Sequence, residues 1–195
     1  MFPLGSVLVP NQVMALHVFE PRYRVMIQEC LASTPEFGVV LIERGHEVGG
    51  GDVRSTHATR ARIIDAEQFS DGRYHLHVGG LQRMMVSRWL PDDPYPAAEC
   101  VDWFDVDAGP DGVALFTAAI TAMRQYLRVL VDAGHTQFDP EIAISTDLIL
   151  GGYDMINAVP LGELDRYKAT YASTPDERLT LLAELFRDAL DATRF

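Results

Sequence analysis

The fold is decided by residues 19–27, which read FEPRYRVMI and follow a short apolar run at 16–18. Pro21 marks a helix start, because a proline lacks the N–H that the first helical turn does not need. Apolar side chains then recur at helical spacing and form one stripe: Tyr23, Met26, Ile27, Cys30 and Leu31. The sequence therefore predicts a strand that leads directly into an amphipathic helix, which packs on a sheet through this stripe.

The rest of residues 1–104 carries strand signals. Residues 37–42 form a continuous apolar run, typical of a strand buried on both faces. The step Asp71-Gly72 joins two alternating segments and predicts a hairpin, and the glycine pair at 79–80 is expected to interrupt its second strand. Six or seven strands with one helix predict an α+β fold, a small mixed β-barrel with one packed helix.

The hydrophobic period changes from two to 3.6 beyond the polar segment 105–112. A long helix is expected at 113–130, and a second from Asp139-Pro140 to about 151–152. A third is expected from Pro160, and a last one after Thr174-Pro175. The sequence thus predicts two domains, a β-domain at 1–104 and an α-helical bundle at 111–195.

The net charge of −12 is unevenly distributed along the chain. Residues 1–88 carry nine basic and nine acidic side chains, whereas residues 89–195 carry seven basic and nineteen acidic ones. An acidic chain repels phosphate backbones, so nucleic acid is an unfavourable partner. A local group of arginines keeps a nucleic-acid-related function open as an alternative: Arg54, Arg60, Arg62 and Arg73.

Membrane and secretion signals are not evident in the sequence. Apolar runs stay well below the roughly 18 residues of a membrane helix, and the first residues show no basic-then-apolar leader pattern. The two cysteines, Cys30 and Cys100, are expected to be structural thiols rather than a disulfide. These features predict a cytoplasmic protein without membrane partners.

Several motifs occur in a fixed order along the first hundred residues. They are residues 2–4, 16–24 with Met26, 37–42, 47–50, and 71–74 leading to 80–83. Their order and spacing resemble the N-terminal substrate-binding domain of the ATP-dependent Lon proteases, above all its stand-alone bacterial versions. The helical part is similar through residues 159–161 and the pair Arg178-Leu179. The family usually has Pro-Gly where this chain has Pro10-Asn11.

The resemblance implies a PUA-like β-domain with a helical C-terminal subdomain. In the proteases this region recognises substrates and helps to assemble the oligomer. The sequence contains no G-x-x-x-x-G-K-[ST] phosphate loop, and its single lysine, Lys168, lies in a helical segment unlike a protease site. The resemblance therefore implies a non-catalytic module that needs no cofactor, and it leaves the oligomeric state open.

The expected partners are unfolded or extended protein segments. They would bind in a groove between barrel and bundle or along a sheet edge. Two arginines at the helix start, Arg22 and Arg24, are candidate ligands for a carboxylate or a peptide backbone, and ion pairs that hold the helix are the alternative. Met84 and Met85 are candidates for an adaptable apolar surface. Adjacent strand residues face opposite ways, so one of the two methionines is expected to point outward.

A metal-dependent hydrolase is the third alternative. His75 and His77 share one strand face, and His57 is the candidate third ligand. Solvent-facing histidines are the commoner outcome, so no metal is predicted. His17 is expected to be a buried histidine bonded to backbone. The sequence locates no catalytic residue.

Overall fold

The computed structural model describes residues 1–47, 49 and 51–193. The chain divides into two units, Met1–Phe104 and Asp105–Phe195, and the elements of each lie within it. Among the residues that the structure describes, no helix is both long and apolar enough to cross a membrane.

The first unit is a mixed sheet with one helix. Its elements are β1 (Phe2–Leu4), β2 (Val13–Val18), α1 (Pro21–Ala32), β3 (Glu36–Arg44), β4 (Val53–Gln68), β5 (Tyr74–Trp89) and β6 (Ala98–Asp102). The strand order is β1-β3-β4-β5-β2, and β6 pairs with β5. The β1–β3 pair is parallel and the other pairs are antiparallel. The predicted α+β fold class is confirmed.

Helix α1 begins at Pro21, as predicted, and packs through the predicted stripe. Tyr23, Met26 and Ile27 are buried in the core of the sheet, and Cys30 packs against it. Leu31 is 44% exposed, so its inclusion in the stripe is wrong. Cys30 is the last residue of α1 that packs against the core, and Leu31 and Ala32 beyond it are exposed.

The glycine pair at 79–80 lies inside β5, which is one strand of 16 residues, so the predicted interruption is wrong. A Cβ atom at Gly80 would collide with the carbonyl oxygen of Val9. The amide of Asn11 donates to the Gly80 carbonyl at 3.0 Å, and the Gly80 amide donates to Gln12 at 2.8 Å. Glycine is thus needed because another turn of the chain passes directly over the strand.

That turn replaces the Pro-Gly that is usual in the resembled family. The Gln12 amide donates to the Val9 carbonyl at 3.1 Å, and Asn11 has a φ of 63°. Pro10 and Asn11 occupy the central positions of a turn whose third residue needs a positive φ. Asparagine tolerates this conformation better than other residues with a side chain, so the turn forms without glycine.

The second unit contains four helices in its described residues. They are α2 (Gly112–Asp132), α3 (Leu148–Ala158), α4 (Glu163–Thr170) and α5 (Pro175–Ala192). The start of α5 is as predicted, with the Thr174 hydroxyl accepting from the Glu177 amide at 3.1 Å. The helix predicted from Asp139 is wrong, because α3 begins only after Asp147, whose carboxylate accepts from two backbone amides.

Gly151 and Gly152 lie inside α3 rather than at a helix end. A Cβ atom at Gly151 would collide with the carbonyl oxygen of Ser145 and would lie 2.6 Å from the Phe116 ring. These glycines allow close packing inside the helix, so the helix end predicted at this pair is wrong.

The polar segment expected to be a linker is tied to the second unit. The Asp105 carboxylate accepts from the Arg178 guanidinium at 2.7 Å and from the Tyr153 hydroxyl at 2.6 Å. The Gly109 amide donates to Asp176 at 2.8 Å. Arg178 is fully buried, so this charged residue holds the segment against the helices.

Candidate functional site

Strands β1, β2 and β6 are edge strands of the sheet, and the first two lie next to a groove. In the described part of the chain β1 pairs only with β3, and β2 only with β5. Residues of both edges nevertheless line one groove of about 360 Å³. The sheet must therefore curve as a half-barrel until the β1 and β2 edges face each other across the groove.

The groove follows the edge of β2 rather than one of its faces. Leu16 and Val18 point into the core, and Ala15 and His17 point to solvent, yet all four line the groove. A strand edge carries alternating N–H and C=O groups that have no neighbouring strand. The groove thus offers backbone hydrogen bonding beside an apolar wall.

The floor of the groove contains Phe2 from β1 and Tyr23 from α1, whose ring centroids are 4.5 Å apart. Tyr23 is only 3% exposed, and its hydroxyl has no hydrogen-bond partner among the residues that the structure describes. Burial raises the pKa of Tyr23 to about 12, so the hydroxyl keeps its proton at neutral pH. The hydroxyl oxygen is itself buried, so it can donate a hydrogen bond to a ligand only if the side chains around it move aside.

Phe19 and two carboxylates complete the groove. Phe19, just after β2, is 52% exposed, so its ring is accessible to a ligand in the groove. Glu20 forms an ion pair with Arg22 at 3.1 Å, and the Glu47 carboxylate accepts from the Gly5 amide at 2.6 Å. Within the described residues, no arginine or lysine lines the groove.

The two predicted arginines lie at the start of α1 but do not line the groove. Arg22 pairs with Glu20 and stacks over the Tyr23 ring, with its guanidinium carbon 4.5 Å from the centroid. Arg24 lies against the hairpin turn, where a Cβ atom at Gly72 would collide with its guanidinium. The contacts of Arg22 thus lie within α1 and its N-cap, whereas Arg24 reaches the hairpin turn. A role for these arginines in ligand binding stays a prediction.

Met84 and Met85 face opposite sides of β5, as strand alternation predicts. Met84 is 5% exposed and packs with Val40 and Ala58. Met85 is 45% exposed and lies opposite the exposed Val101 on β6. Neither methionine lines the groove, so the structure does not bring the four predicted residues together, and ligand binding by Met84 and Met85 also stays a prediction.

The expectation of a buried His17 is wrong. Alternate residues of β2 face solvent, and the register places His17 opposite His75, where the two rings stack with centroids 3.9 Å apart. His57 lies opposite Met85, whereas His77 lies opposite Asp65, so His57 is not a third ligand beside His75 and His77. Throughout 1–47, 49 and 51–193, no three His, Cys, Asp or Glu side chains are grouped as metal ligands.

The four arginines that favoured the nucleic-acid alternative are each paired with a carboxylate. The pairs and their N–O distances are Arg54–Asp52 and Arg54–Asp92 at 2.6 Å, Arg60–Asp102 at 2.6 Å, Arg62–Glu36 at 2.7 Å and Arg73–Asp71 at 2.7 Å. Phosphate binding needs positive charge that is available to the ligand. Since each of the four arginines is paired with a carboxylate, the group no longer favours a nucleic-acid-related function.

Both cysteines are free thiols, as predicted. Burial raises the pKa of Cys30 and of Cys100, which keeps both protonated and disfavours nucleophilic chemistry.

The sequence predicts a groove between barrel and bundle or a sheet edge as the binding site, but it does not indicate this edge or its lining residues, although one signal was available. Leu16 and Val18 alternate inward, so Phe19 is the next residue on an outward-facing position. The second wall comes from the three residues of β1, which pair with a strand more than thirty residues later. Periodicity in the sequence does not reveal that pairing.

Comparisons with known proteins agree on one family. Residues 1–186 match the sequence profile of the ATP-dependent protease La (LON) substrate-binding domain. A LON peptidase N-terminal domain and RING finger protein of Schizosaccharomyces pombe is 21% identical over 212 residues, covering 92% of this chain and 43% of the relative. The chain thus spans less than half of that relative.

Two solved structures share the fold. A Lon N-terminal domain protein from Xanthomonas campestris is 25% identical, with a TM-score of 0.66, and the match covers 94% of this chain and 95% of that one. The N-terminal domain of the Mycobacterium avium complex Lon protease is 16% identical, with a TM-score of 0.68 and coverage of 95% and 97%. The chain therefore belongs to the family of the Lon substrate-binding domain.

Proposed function

We propose that this chain is a non-catalytic module that binds unfolded or extended segments of other proteins along the free edge of β2. The observation that carries the proposal is the groove that follows this edge and is lined by inward-facing and outward-facing residues alike. An unfolded segment offers what such a groove accepts, which is unpaired backbone and exposed apolar side chains.

A bound segment that pairs with β2 as an added strand allows one site to accept segments of many sequences. Backbone hydrogen bonds to the edge supply affinity that does not depend on the sequence of the segment. Alternate side chains of the segment then enter the groove and contact apolar residues such as Met14, Leu16 and Phe19. A volume of about 360 Å³ is at the lower end for ligand sites, and it accommodates a few side chains rather than a folded domain.

The Tyr23 hydroxyl supports the same proposal. A buried hydroxyl without a partner costs roughly 1–3 kcal/mol, so a folded chain rarely keeps one without a reason. A carbonyl of the bound segment is the natural acceptor, because extended backbone presents carbonyls at regular intervals.

A non-catalytic role is supported by the family and by the chemistry of the chain. The matching profile describes a substrate-binding domain. The sequence has no phosphate-binding loop, and both thiols are held protonated by burial. Two free cysteines also support a reducing compartment such as the cytoplasm as the place of action.

The test is binding of a reduced and alkylated, permanently unfolded model protein, followed by fluorescence anisotropy. We expect saturable binding of the unfolded protein and none of its native form. Phe19→Ala removes an exposed aromatic ring from the groove and is expected to weaken binding about tenfold.

The matched control is Ile64→Ala, which removes a side chain of similar exposure outside the groove. It is expected to leave the affinity unchanged. Equal losses in both variants, or no binding of unfolded protein by the unmodified chain, would contradict the proposal.

A further inference from the structure

The charges at the groove are of one sign. Glu20 and Glu47 line it, and no arginine or lysine among the described residues does. Glu20 is compensated by Arg22 at 3.1 Å. Glu47 instead accepts from the neutral amide of Gly5, so its negative charge stays uncompensated by that contact.

We propose that the groove selects extended segments that carry lysine or arginine between apolar residues, and that Glu47 is the selecting residue. This inference rests on the proposed function and adds the class of segment that is preferred. The apolar wall takes the alternate apolar side chains, and the carboxylate of Glu47 attracts a basic side chain at the mouth of the groove. The same carboxylate repels acidic segments, which gives discrimination as well as attraction.

The overall charge works in the same direction but is a separate effect. A net charge of −12 attracts any basic peptide at low salt, whatever the site. Removing one charge at a residue that does not line the groove therefore tests the general effect, and removing the charge of Glu47 tests the groove.

The experiment uses the full chain and three labelled nine-residue peptides. They share alternating valines, and the intervening positions are all lysine, all glutamine or all glutamate. We expect the lysine peptide to bind about tenfold more tightly than the glutamate peptide at low ionic strength, with the glutamine peptide between them. Glu47→Gln keeps an acceptor for the Gly5 amide and is expected to reduce the lysine-to-glutamate ratio about threefold.

Glu184→Gln is the control, because it makes the same change in net charge on an exposed position of α5. A ratio that falls equally in both variants, or equal binding of all three peptides, overturns the charge selection and leaves the proposed function standing. If none of the peptides binds, and the unfolded model protein does not bind either, the proposed function itself fails.

Discussion

The hydroxyl of Tyr23 allows a test of whether this residue contributes to ligand binding or only to packing. Tyr23→Phe removes the unpartnered hydroxyl while keeping the ring that packs on Phe2. We expect stability to stay equal or rise, because a buried group without a partner is lost. Affinity for an unfolded protein is expected to fall about three- to tenfold, as loss of one hydrogen bond predicts.

Tyr95→Phe provides the opposite pattern for comparison. The Tyr95 hydroxyl donates to Glu29 and lies outside the groove, so its loss is expected to lower thermal stability and leave affinity unchanged. Thermal unfolding and anisotropy on both variants give the comparison. A Tyr23→Phe variant that loses stability but not affinity contradicts a ligand-binding role for this hydroxyl.

The Arg54 ion pairs predict a pH dependence of stability. A hydrogen bond from Arg54 lowers the pKa of Asp92 below its usual 3.8. Burial alone raises the pKa of Asp52, but hydrogen bonds and the charge of Arg54 outweigh burial and lower it. A carboxylate with a depressed pKa in the folded state stabilises the fold above its unfolded pKa and loses that effect as the pH falls through the folded one.

Asp92→Asn is therefore expected to lower stability by about 0.5–1 kcal/mol at pH 7, a typical value for a partly exposed pair. The difference from the unmodified chain is expected to shrink as the pH falls below about 3.8 and to vanish below the depressed pKa of Asp92 in the folded state. Asp93→Asn is the control, because this neighbouring carboxylate is exposed. Thermal unfolding from pH 7 to pH 3 measures the stability of both variants. A difference between Asp92→Asn and the unmodified chain that stays constant over this range contradicts a stabilising Arg54–Asp92 ion pair.

At the scale of elements, α3 shows how packing decides what a glycine does. Alanine at Gly151 adds about 1 kcal/mol of helix propensity. It also places a methyl group against the Ser145 carbonyl and the Phe116 ring. We expect Gly151→Ala to destabilise the chain by about 1–3 kcal/mol, because overpacking outweighs propensity.

Gly162→Ala is the comparison, since this N-cap of α4 has open space around its Cβ position and a φ of −63°. It involves no close contact, and the poorer N-cap is expected to cost less than about 1 kcal/mol. Chemical denaturation of both variants measures the free energy of unfolding. A stabilised Gly151→Ala variant contradicts the close contact.

Local signals in the sequence predict some helix starts and a hairpin turn correctly. The wrong predictions about glycines occur where segments distant in sequence come into contact. The start of α1 at Pro21, the hairpin at Asp71-Gly72 and the cap of α5 at Thr174 depend on a few neighbouring residues. The sequence predicts that Gly80 interrupts a strand and that Gly151 ends a helix. Each is instead a glycine because a segment distant in sequence packs directly against it. A glycine that breaks an element and one that admits a neighbour look the same in the sequence.

At the scale of the whole molecule, the second unit has a charged residue at its centre. Arg178 is fully buried and depends on the carboxylate of Asp105 for charge compensation. Asp105→Asn is expected to cost about 3–5 kcal/mol, because breaking a buried pair leaves an uncompensated charge. Asp107→Asn, at an exposed position, is expected to have little effect on the melting temperature. Equal effects of the two variants would contradict the role of Asp105 in compensating the charge of Arg178.

The position of the candidate site depends on topology, so the sequence predicts a sheet edge as one possible site without indicating which edge. The resemblance in sequence pointed to the family, and residues 19–27 identified the strand-to-helix junction beside the groove. The groove exists because β1 and β2 are edge strands that the curved sheet brings together. Since β1 is only three residues long and pairs in parallel with β3, no local pattern signals the arrangement.

The central claim is that the edge of β2 receives the bound segment, and hydrogen exchange tests it most directly. The full chain is exchanged alone and with a saturating amount of the unfolded model protein. We predict slower exchange of the backbone amides of β2, Val13–Val18, on binding, and little change in β6, Ala98–Asp102. Binding that leaves the exchange of β2 unchanged, or that protects β6 instead, would contradict the claim.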